Sequence, residues 1–103
     1  MSVIYEVNLS VDADIAGEFA LWLPGHMAEM LALPGFIAAD AALELADQSD
    51  TAQWSVRYHL SDQDALSAYL QNHAQRMRED GFQRFGTRFR AHRRILTPVE
   101  IAR

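Results

Sequence analysis

Two spacings of apolar residues alternate along this chain, and their order restricts the fold more than any other feature. Apolar side chains at every second position, which indicate strands with one buried face, recur in three segments: residues 3–11, 37–45 and 54–60. A fourth segment, residues 87–97, is rich in arginine and also alternates like a strand. Apolar side chains at helical spacing occupy residues 15–31 and 65–77. The predicted order of elements is therefore strand, helix, strand, strand, helix, strand.

This βαββαβ order predicts one particular sheet. Two right-handed crossovers built from these pieces give a four-stranded antiparallel sheet of order 4-1-3-2, with two helices on one face. The sequence thus predicts an α+β, ferredoxin-like fold. A chain of 103 residues suits a single domain, spanning 1–103, and is long enough to bury a core without disulfides or a metal.

Composition excludes several classes of protein. The chain has no cysteine, which excludes disulfide frameworks, thiolate zinc sites and cysteine nucleophiles. No apolar run approaches the length of a transmembrane helix, and the first residues lack the basic and apolar regions of a signal peptide. We therefore expect a soluble cytoplasmic protein that does not associate with a membrane.

The first helix carries two local signals. Asp12 or Asp14 can cap it, because a carboxylate at that position accepts the free N–H groups of the first turn. Pro24-Gly25 interrupts its apolar stripe, and proline both lacks an N–H and crowds the carbonyl of Ala20. We expect a kink or two abutting segments there.

Turn and cap signals set the later boundaries. Residues 47–50 predict a hairpin loop between the second and third strands. Ser61-x-x-Asp64 predicts a capping box at the start of the second helix. Gly81 and Gly86 bracket a segment that we expect to be irregular, so the second helix is predicted to end before it.

The two faces of the predicted sheet differ in composition. On the first and third strands, the side chains that point to one face of the sheet are almost all apolar, and we expect that face to lie under the helices. The opposite face mixes charges with Phe36 and alanines, which suits a half-buried surface better than a solvated one. We expect it to face a second copy of the chain through six polar residues: Glu6, Asn8, Asp40, Glu44, Arg57 and His59. On this face Glu6 and Arg57 should be neighbours across two strands.

Charge is distributed unevenly along the chain. Residues 1–64 contain eleven acids and one base, whereas residues 65–103 contain three acids and eight arginines. The basic half could bind nucleic acid, or the two halves could neutralise each other within the fold or across a dimer. Since no block of five like charges occurs, the second interpretation is favoured.

Several segments together resemble a known superfamily. They are Ile4-Tyr5-Glu6-Val7-Asn8-Leu9, Leu33-Pro34-Gly35-Phe36, Ala65-Leu66-Ser67-Ala68-Tyr69-Leu70, residues 78–86 and Arg93-Arg94-Ile95-Leu96. With the element order, they are similar to the dimeric α/β-barrel superfamily, and within it to a family of short bacterial domains of unknown function. The resemblance implies a homodimer whose sheets face each other, with the helices outside.

The same superfamily includes haem-degrading enzymes and cofactor-independent monooxygenases. Asn8 matches the asparagine that the haem-degrading members carry on the first strand, but Tyr69 stands in place of their tryptophan and Glu79 in place of their histidine. His73 comes too early to replace that ligand. We therefore expect no haem and no other cofactor.

The four histidines do not predict a metal site. A helical metal site needs two histidines at i and i+4, and no pair among His26, His59, His73 and His92 has that spacing. We expect no bound metal.

A cleft between the helices and the sheet is the candidate site. Aromatic walls with a few polar tips are typical of small-molecule pockets. Five residues are placed there: Trp22, His26, Tyr58, Tyr69 and His73. The alternative is that these side chains simply fill the core.

Three functions remain open at this point: a small-molecule-binding or accessory homodimer, a cofactor-independent oxygenase-like enzyme, and an RNA-binding domain. RNA-recognition domains share the element order and stack bases on exposed aromatics of the first and third strands. Here Trp54 and Tyr58 lie on the same face of the third strand as Val56, which we expect to be buried, so they are not exposed for stacking. Since the net charge is also −5, nucleic acid is disfavoured as a partner.

Overall fold

The computed structural model describes residues 1–45 and 50–102. Strand β1 (Val3–Asp12) is followed by a short 3-10 turn (Ala13–Ile15) and helix α1 (Ala16–Leu31). The remaining elements, in chain order, are β2 (Phe36–Leu43), β3 (Thr51–Leu60), α2 (Gln63–Asn72), α3 (Ala74–Phe85) and β4 (Phe89–Leu96). The predicted hairpin loop at residues 47–50 lies, except for Asp50, outside the described residues.

The four strands form one antiparallel sheet of order β2-β3-β1-β4, which is the predicted order counted from the other edge. Strand β1 is central and pairs with β3 along its whole length, from Val3 opposite Leu60 to Asp12 opposite Thr51. The α+β, ferredoxin-like fold is thus confirmed, with three helices in place of the predicted two.

The helices pack on one face of this sheet, here named the covered face. It is the face predicted to be apolar, and Val3, Tyr5 and Leu9 of β1 are all buried on it. At its centre Phe19 of α1 is 1% exposed, and its ring lies 5.2–5.5 Å from the rings of Trp22, Phe85 and Phe89. The other face, here named the open face, is covered by no element of the described chain.

Helix α1 is continuous through Pro24, so the predicted break is absent. Pro24 lies on the exposed side of the helix, and Leu23 and Met30 on its buried side hold both halves against the core. The predicted aspartate caps do not form either. The Asp12 carboxylate instead accepts a hydrogen bond from Arg90, at 2.7 Å.

The second predicted helix differs in three respects. Its cap is Asp62, not Ser61, because the Asp62 side chain accepts the Ala65 N–H at 2.8 Å. The helix is divided at His73, whose backbone leaves the helical region (φ −130°). Finally, α3 continues through Gly81 to Phe85 and ends at Gly86, whose φ of +61° favours glycine.

Gly81 is a packing residue within α3. A Cβ at this position would lie 3.0 Å from the ring of Phe89 and 3.4 Å from that of Trp22. The glycine therefore allows α3 to approach β4 and α1 closely. The presence of Gly81 is therefore explained by this close packing and not by a break in the helix.

Phe36 lies on the covered face, contrary to the prediction that it shares the face of Asp40. The pairing of β2 with β3 is irregular between Phe36 and Ala38, so Phe36 pairs with Leu60 while Ala38 pairs with His59. The ring of Phe36 then packs 5.2 Å from that of Tyr69. A one-residue irregularity of this kind reverses which face a side chain occupies.

In the described ranges no helix combines the length and the apolar character needed to cross a bilayer.

Candidate functional site

A cavity lies between the helices and the covered face of the sheet. Its volume is about 70 Å³, counted as the space open to the centres of water molecules. Its walls come from β1, β3, β4 and all three helices. Natural cores leave few voids larger than one water, so a space of this size inside a 103-residue chain is notable.

Four of the five residues predicted for the cleft line this cavity: Trp22, His26, Tyr58 and Tyr69. His73 does not line it. Its backbone joins α2 to α3, since its N–H donates to Tyr69 and its carbonyl accepts from Met77. The division of the helix at His73 takes this side chain off the apolar stripe on which the prediction placed it.

Three tyrosines are grouped in the cavity wall. Tyr5, Tyr58 and Tyr69 are each at most 3% exposed, and the Tyr5 ring lies 5.6 Å from Tyr69 and 6.4 Å from Tyr58. Burial raises the pKa of Tyr69 to about 12 and that of Tyr58 further. The hydroxyls of Tyr58 and Tyr69 therefore keep their protons at neutral pH and can donate hydrogen bonds.

Two arginines also line the cavity, and the sequence interpretation missed both. Arg78 of α3 donates from Nη2 to the hydroxyl of Tyr5, at 3.2 Å. Arg93 of β4 pairs with Val7 and therefore lies on the covered face. Both positive charges lower the pKa of Tyr69, against the larger effect of burial. Side chains alternate between the two faces along β4, so Arg93 lies on the same face as Phe89 and Ala91. This alternation is the sequence signal that could have identified Arg93 as a cavity residue.

His26 adds an uncharged polar group to the wall. Its ring stacks on that of Trp22 at 4.6 Å, and its Nδ1 is buried with no hydrogen-bond partner among the described residues. Burial lowers the pKa of His26, and the carboxylates of Glu29 and Asp80 oppose this effect. The imidazole is therefore neutral at neutral pH and has a lone pair available.

The six residues predicted to face a second copy all lie on the open face. Glu6 pairs with Arg57, which in turn pairs with Asp40. His59 lies 3.5 Å from Asp40, and Glu44 follows β2 opposite Gln53. Asn8 is also on this face, so the sheet separates it from the cavity.

Glu6 is the centre of a hydrogen-bonded network on the open face. It is 1% exposed, and its carboxylate accepts from Arg57 Nε at 2.9 Å, Arg94 Nε at 2.7 Å and Asn8 Nδ2 at 2.8 Å. The bond from Asn8, followed by those from Arg94 and Arg57, holds the pKa of Glu6 below its ordinary value, although burial acts in the opposite direction. The predicted contact between Glu6 and Arg57 is confirmed.

Among residues 1–45 and 50–102, no group of three histidine, aspartate or glutamate side chains is arranged to hold a metal ion.

Comparisons with known proteins place the chain in a family. Residues 2–99 match the family described as "Domain of unknown function (DUF4286)". No curated protein matches the sequence.

Solved structures share the fold at low identity. A proposed antibiotic biosynthesis monooxygenase from Deinococcus radiodurans is 15% identical, with a TM-score of 0.73 over 98% of this chain and 96% of that one. SnoaB, a cofactor-independent oxygenase from Streptomyces nogalater, is 17% identical, with a TM-score of 0.66 over 97% and 95% of the two chains. Rv0793 from Mycobacterium tuberculosis is 14% identical, with a TM-score of 0.68 over the full length of both. At such identities the likeness establishes the fold alone.

Proposed function

The chain belongs to the DUF4286 family, and we propose that it is a homodimer that binds a small molecule between its helices and its sheet. The observation that carries this proposal is the cavity on the covered face. It combines apolar and aromatic walls with a few polar groups, which is the composition of small-molecule sites. A merely filled core would leave no space there.

The open face supports the dimer. It carries three arginines, Arg57, Arg90 and Arg94, and four carboxylates, Glu6, Asp12, Asp40 and Glu44. Since charges of both signs are present and nearly balance, a second copy can approach the same face without strong net repulsion. A two-fold axis brings identical surfaces together, and a face with both signs of charge can be complementary to itself.

The methionines provide a direct test of ligand binding. Met30 and Met77 line the cavity, Met27 packs near it without lining it, and Met1 is 95% exposed. We expect that, in a panel of neutral and charged fragments of three to six heavy atoms, binders will shift the ¹³C-methyl NMR signals of Met30 and Met77. The signals of Met27 and Met1 serve as internal controls. A panel in which no fragment shifts the two cavity methionines would contradict the proposal.

A second function, that of an oxygenase-like enzyme, is favoured by His26. A neutral imidazole in a cavity wall can accept a proton from an acidic carbon of a bound substrate. The fold shared with SnoaB, described as a cofactor-independent oxygenase, is consistent with this chemistry without establishing it.

The enzyme proposal has its own test. Fragments that bind and carry an acidic C–H should consume O₂ in the presence of the protein. His26→Phe, which keeps a ring stacked on Trp22, should abolish the uptake while fragment binding persists. Equal O₂ uptake by the variant and the native chain would remove His26 from the reaction.

A further inference from the structure

We propose that the ligand of the cavity is a short organic carboxylate whose anionic group is held by Arg78 and Arg93. This inference rests on the proposed small-molecule function and specifies the class of ligand. It follows from the charge of the cavity wall, the donors that meet there and the volume available.

The cavity wall is positively charged, although the chain as a whole is negatively charged. The chain has fourteen acidic and nine basic residues, yet the residues that line the cavity include two arginines and no carboxylate. On the open face, by contrast, Arg57 and Arg94 contact Glu6 and Arg90 contacts Asp12. An anion is therefore what the cavity lacks.

Neither cavity arginine has a carboxylate partner in the part of the chain that the structure describes. Arg78 donates to a neutral hydroxyl, that of Tyr5. Arg93 is half-buried, and its side chain makes no ion pair or hydrogen bond with a described residue. Arg78 is exposed, so the desolvation cost falls on Arg93, where a partly desolvated guanidinium without a counter-charge is unfavourable and a bound anion would relieve that cost.

The polar groups around these arginines are arranged to donate. Guanidinium groups have only donors, and the hydroxyls of Tyr5 and Tyr69 lie beside them. Tyr69 keeps its proton because its pKa is raised to about 12. A carboxylate matches such a set, since its two oxygens accept several hydrogen bonds and can pair with one guanidinium through both.

The volume sets the size of the ligand. An apolar cavity of about 150 Å³ binds benzene, and the cavity here has about half of that, 70 Å³. The apolar part of the ligand is therefore a chain of about three carbon atoms, with the carboxylate toward Arg78 and Arg93. Butyrate is a suitable probe, and butyramide is its neutral isostere.

The experiment measures the affinity of both probes through the Met30 and Met77 methyl signals. We expect butyrate to bind at least tenfold more tightly than butyramide.

Arg93→Gln should reduce butyrate affinity at least tenfold and leave butyramide affinity unchanged. Arg90→Gln is the matched control, because Arg90 lies on the same strand but on the open face, and it should alter neither affinity. Arg78→Gln repeats the test independently, and its control is Arg76→Gln, an arginine of the same helix that does not line the cavity.

Each alternative outcome has a distinct meaning. Equal affinities for butyrate and butyramide would overturn the carboxylate assignment and leave the proposed binding function intact. Displacement of butyrate by equimolar inorganic phosphate would replace a carboxylate site with a general anion site, and so would also overturn it. If butyrate and every neutral fragment leave Met30 and Met77 unshifted, the proposed function itself fails.

Discussion

The two faces of strand β1 use arginine in opposite ways. On the open face, Arg57 and Arg94 both donate hydrogen bonds to Glu6, and Arg90 forms an ion pair with Asp12. Each of these arginines therefore has an acidic partner on β1. On the covered face, Arg93 lies beside Val7 without an acidic partner in the described chain. Neighbouring positions of β4, 93 and 94, therefore carry the same residue type in different electrostatic environments.

This contrast separates two roles of a charged side chain. A guanidinium whose counter-charge lies within the chain is satisfied by the fold and stabilises it. A guanidinium beside a cavity and without a counter-charge contributes little to stability and is available to a ligand. Substitutions on the two faces should therefore have different effects on stability.

Removal of the Tyr69 side chain should have the largest effect on stability. Tyr69 is 3% exposed and packs against Tyr5 and Phe36. Although it lines the cavity, most of its ring is in contact with the core, so Tyr69→Ala should lower the free energy of unfolding by about 3–5 kcal/mol. Urea denaturation measures this, with Leu21→Ala on α1 (86% exposed) as the control expected to change little. An unchanged midpoint for Tyr69→Ala would mean that the cavity extends over most of the ring.

On the open face, Glu6→Gln should have the next largest effect. The substitution keeps the shape of the side chain but removes the charge that accepts from two arginines. Because Arg57 and Arg94 are 44% and 53% exposed, the loss should be about 1.5–3 kcal/mol, as for hydrogen bonds to charged groups, and smaller than for a fully buried pair. Asp40→Asn, at a carboxylate that is 68% exposed, should cost less than about 0.5 kcal/mol. Equal losses for the two variants would show that Glu6 has no special role.

Acid should weaken the network around Glu6 on the open face. The pKa of Glu6 lies below its ordinary 4.5 because Asn8, Arg94 and Arg57 donate to the carboxylate. A carboxyl group with a lowered folded pKa stabilises the protein above its unfolded pKa, and this contribution is lost as the pH falls through the folded pKa. The difference in unfolding free energy between the native chain and Glu6→Gln should therefore be constant above about pH 5 and shrink as the pH falls below about 4.5. A difference that stays constant down to pH 3 would contradict the network.

Arg93→Gln should have the smallest effect on stability. With no ion pair to lose, the variant should remain within about 0.5 kcal/mol of the native chain. Arg94→Gln, at the adjacent position on the open face, should cost more because it removes a partner of Glu6. Thermal denaturation of the two variants side by side measures the difference. A larger loss for Arg93→Gln than for Arg94→Gln would reverse the comparison on which the account depends.

The sequence predicts the open face better than the cavity, and the reason is physical. Alternation along β1 and β3 assigns each side chain to a face, and antiparallel pairing then brings Glu6 to Arg57. The cavity depends on details that alternation does not encode. One is the irregularity at Phe36, which reverses its face. Another is the close packing of Gly81 on Phe89, which lets α3, the helix that carries Arg78, approach the sheet.

Arg93 illustrates how a local pattern can be overridden. The predicted cleft contains only aromatic and histidine residues, and none of them comes from the arginine-rich fourth strand. Yet the parity of β4 places Arg93 with Phe89 and Ala91 on the covered face. Similarly, His73 has the spacing of a cavity residue, but the division between α2 and α3 removes it from the cavity wall.

The central claim is that the two faces of the sheet receive different occupants, a second copy of the chain on the open face and a small molecule beneath the helices. Its most direct test is the mass of the native chain at micromolar concentration, measured by sedimentation equilibrium. The account predicts a dimer, twice the 11.6 kDa of one chain. A mass of 11.6 kDa would leave the open face in solvent and contradict the claim.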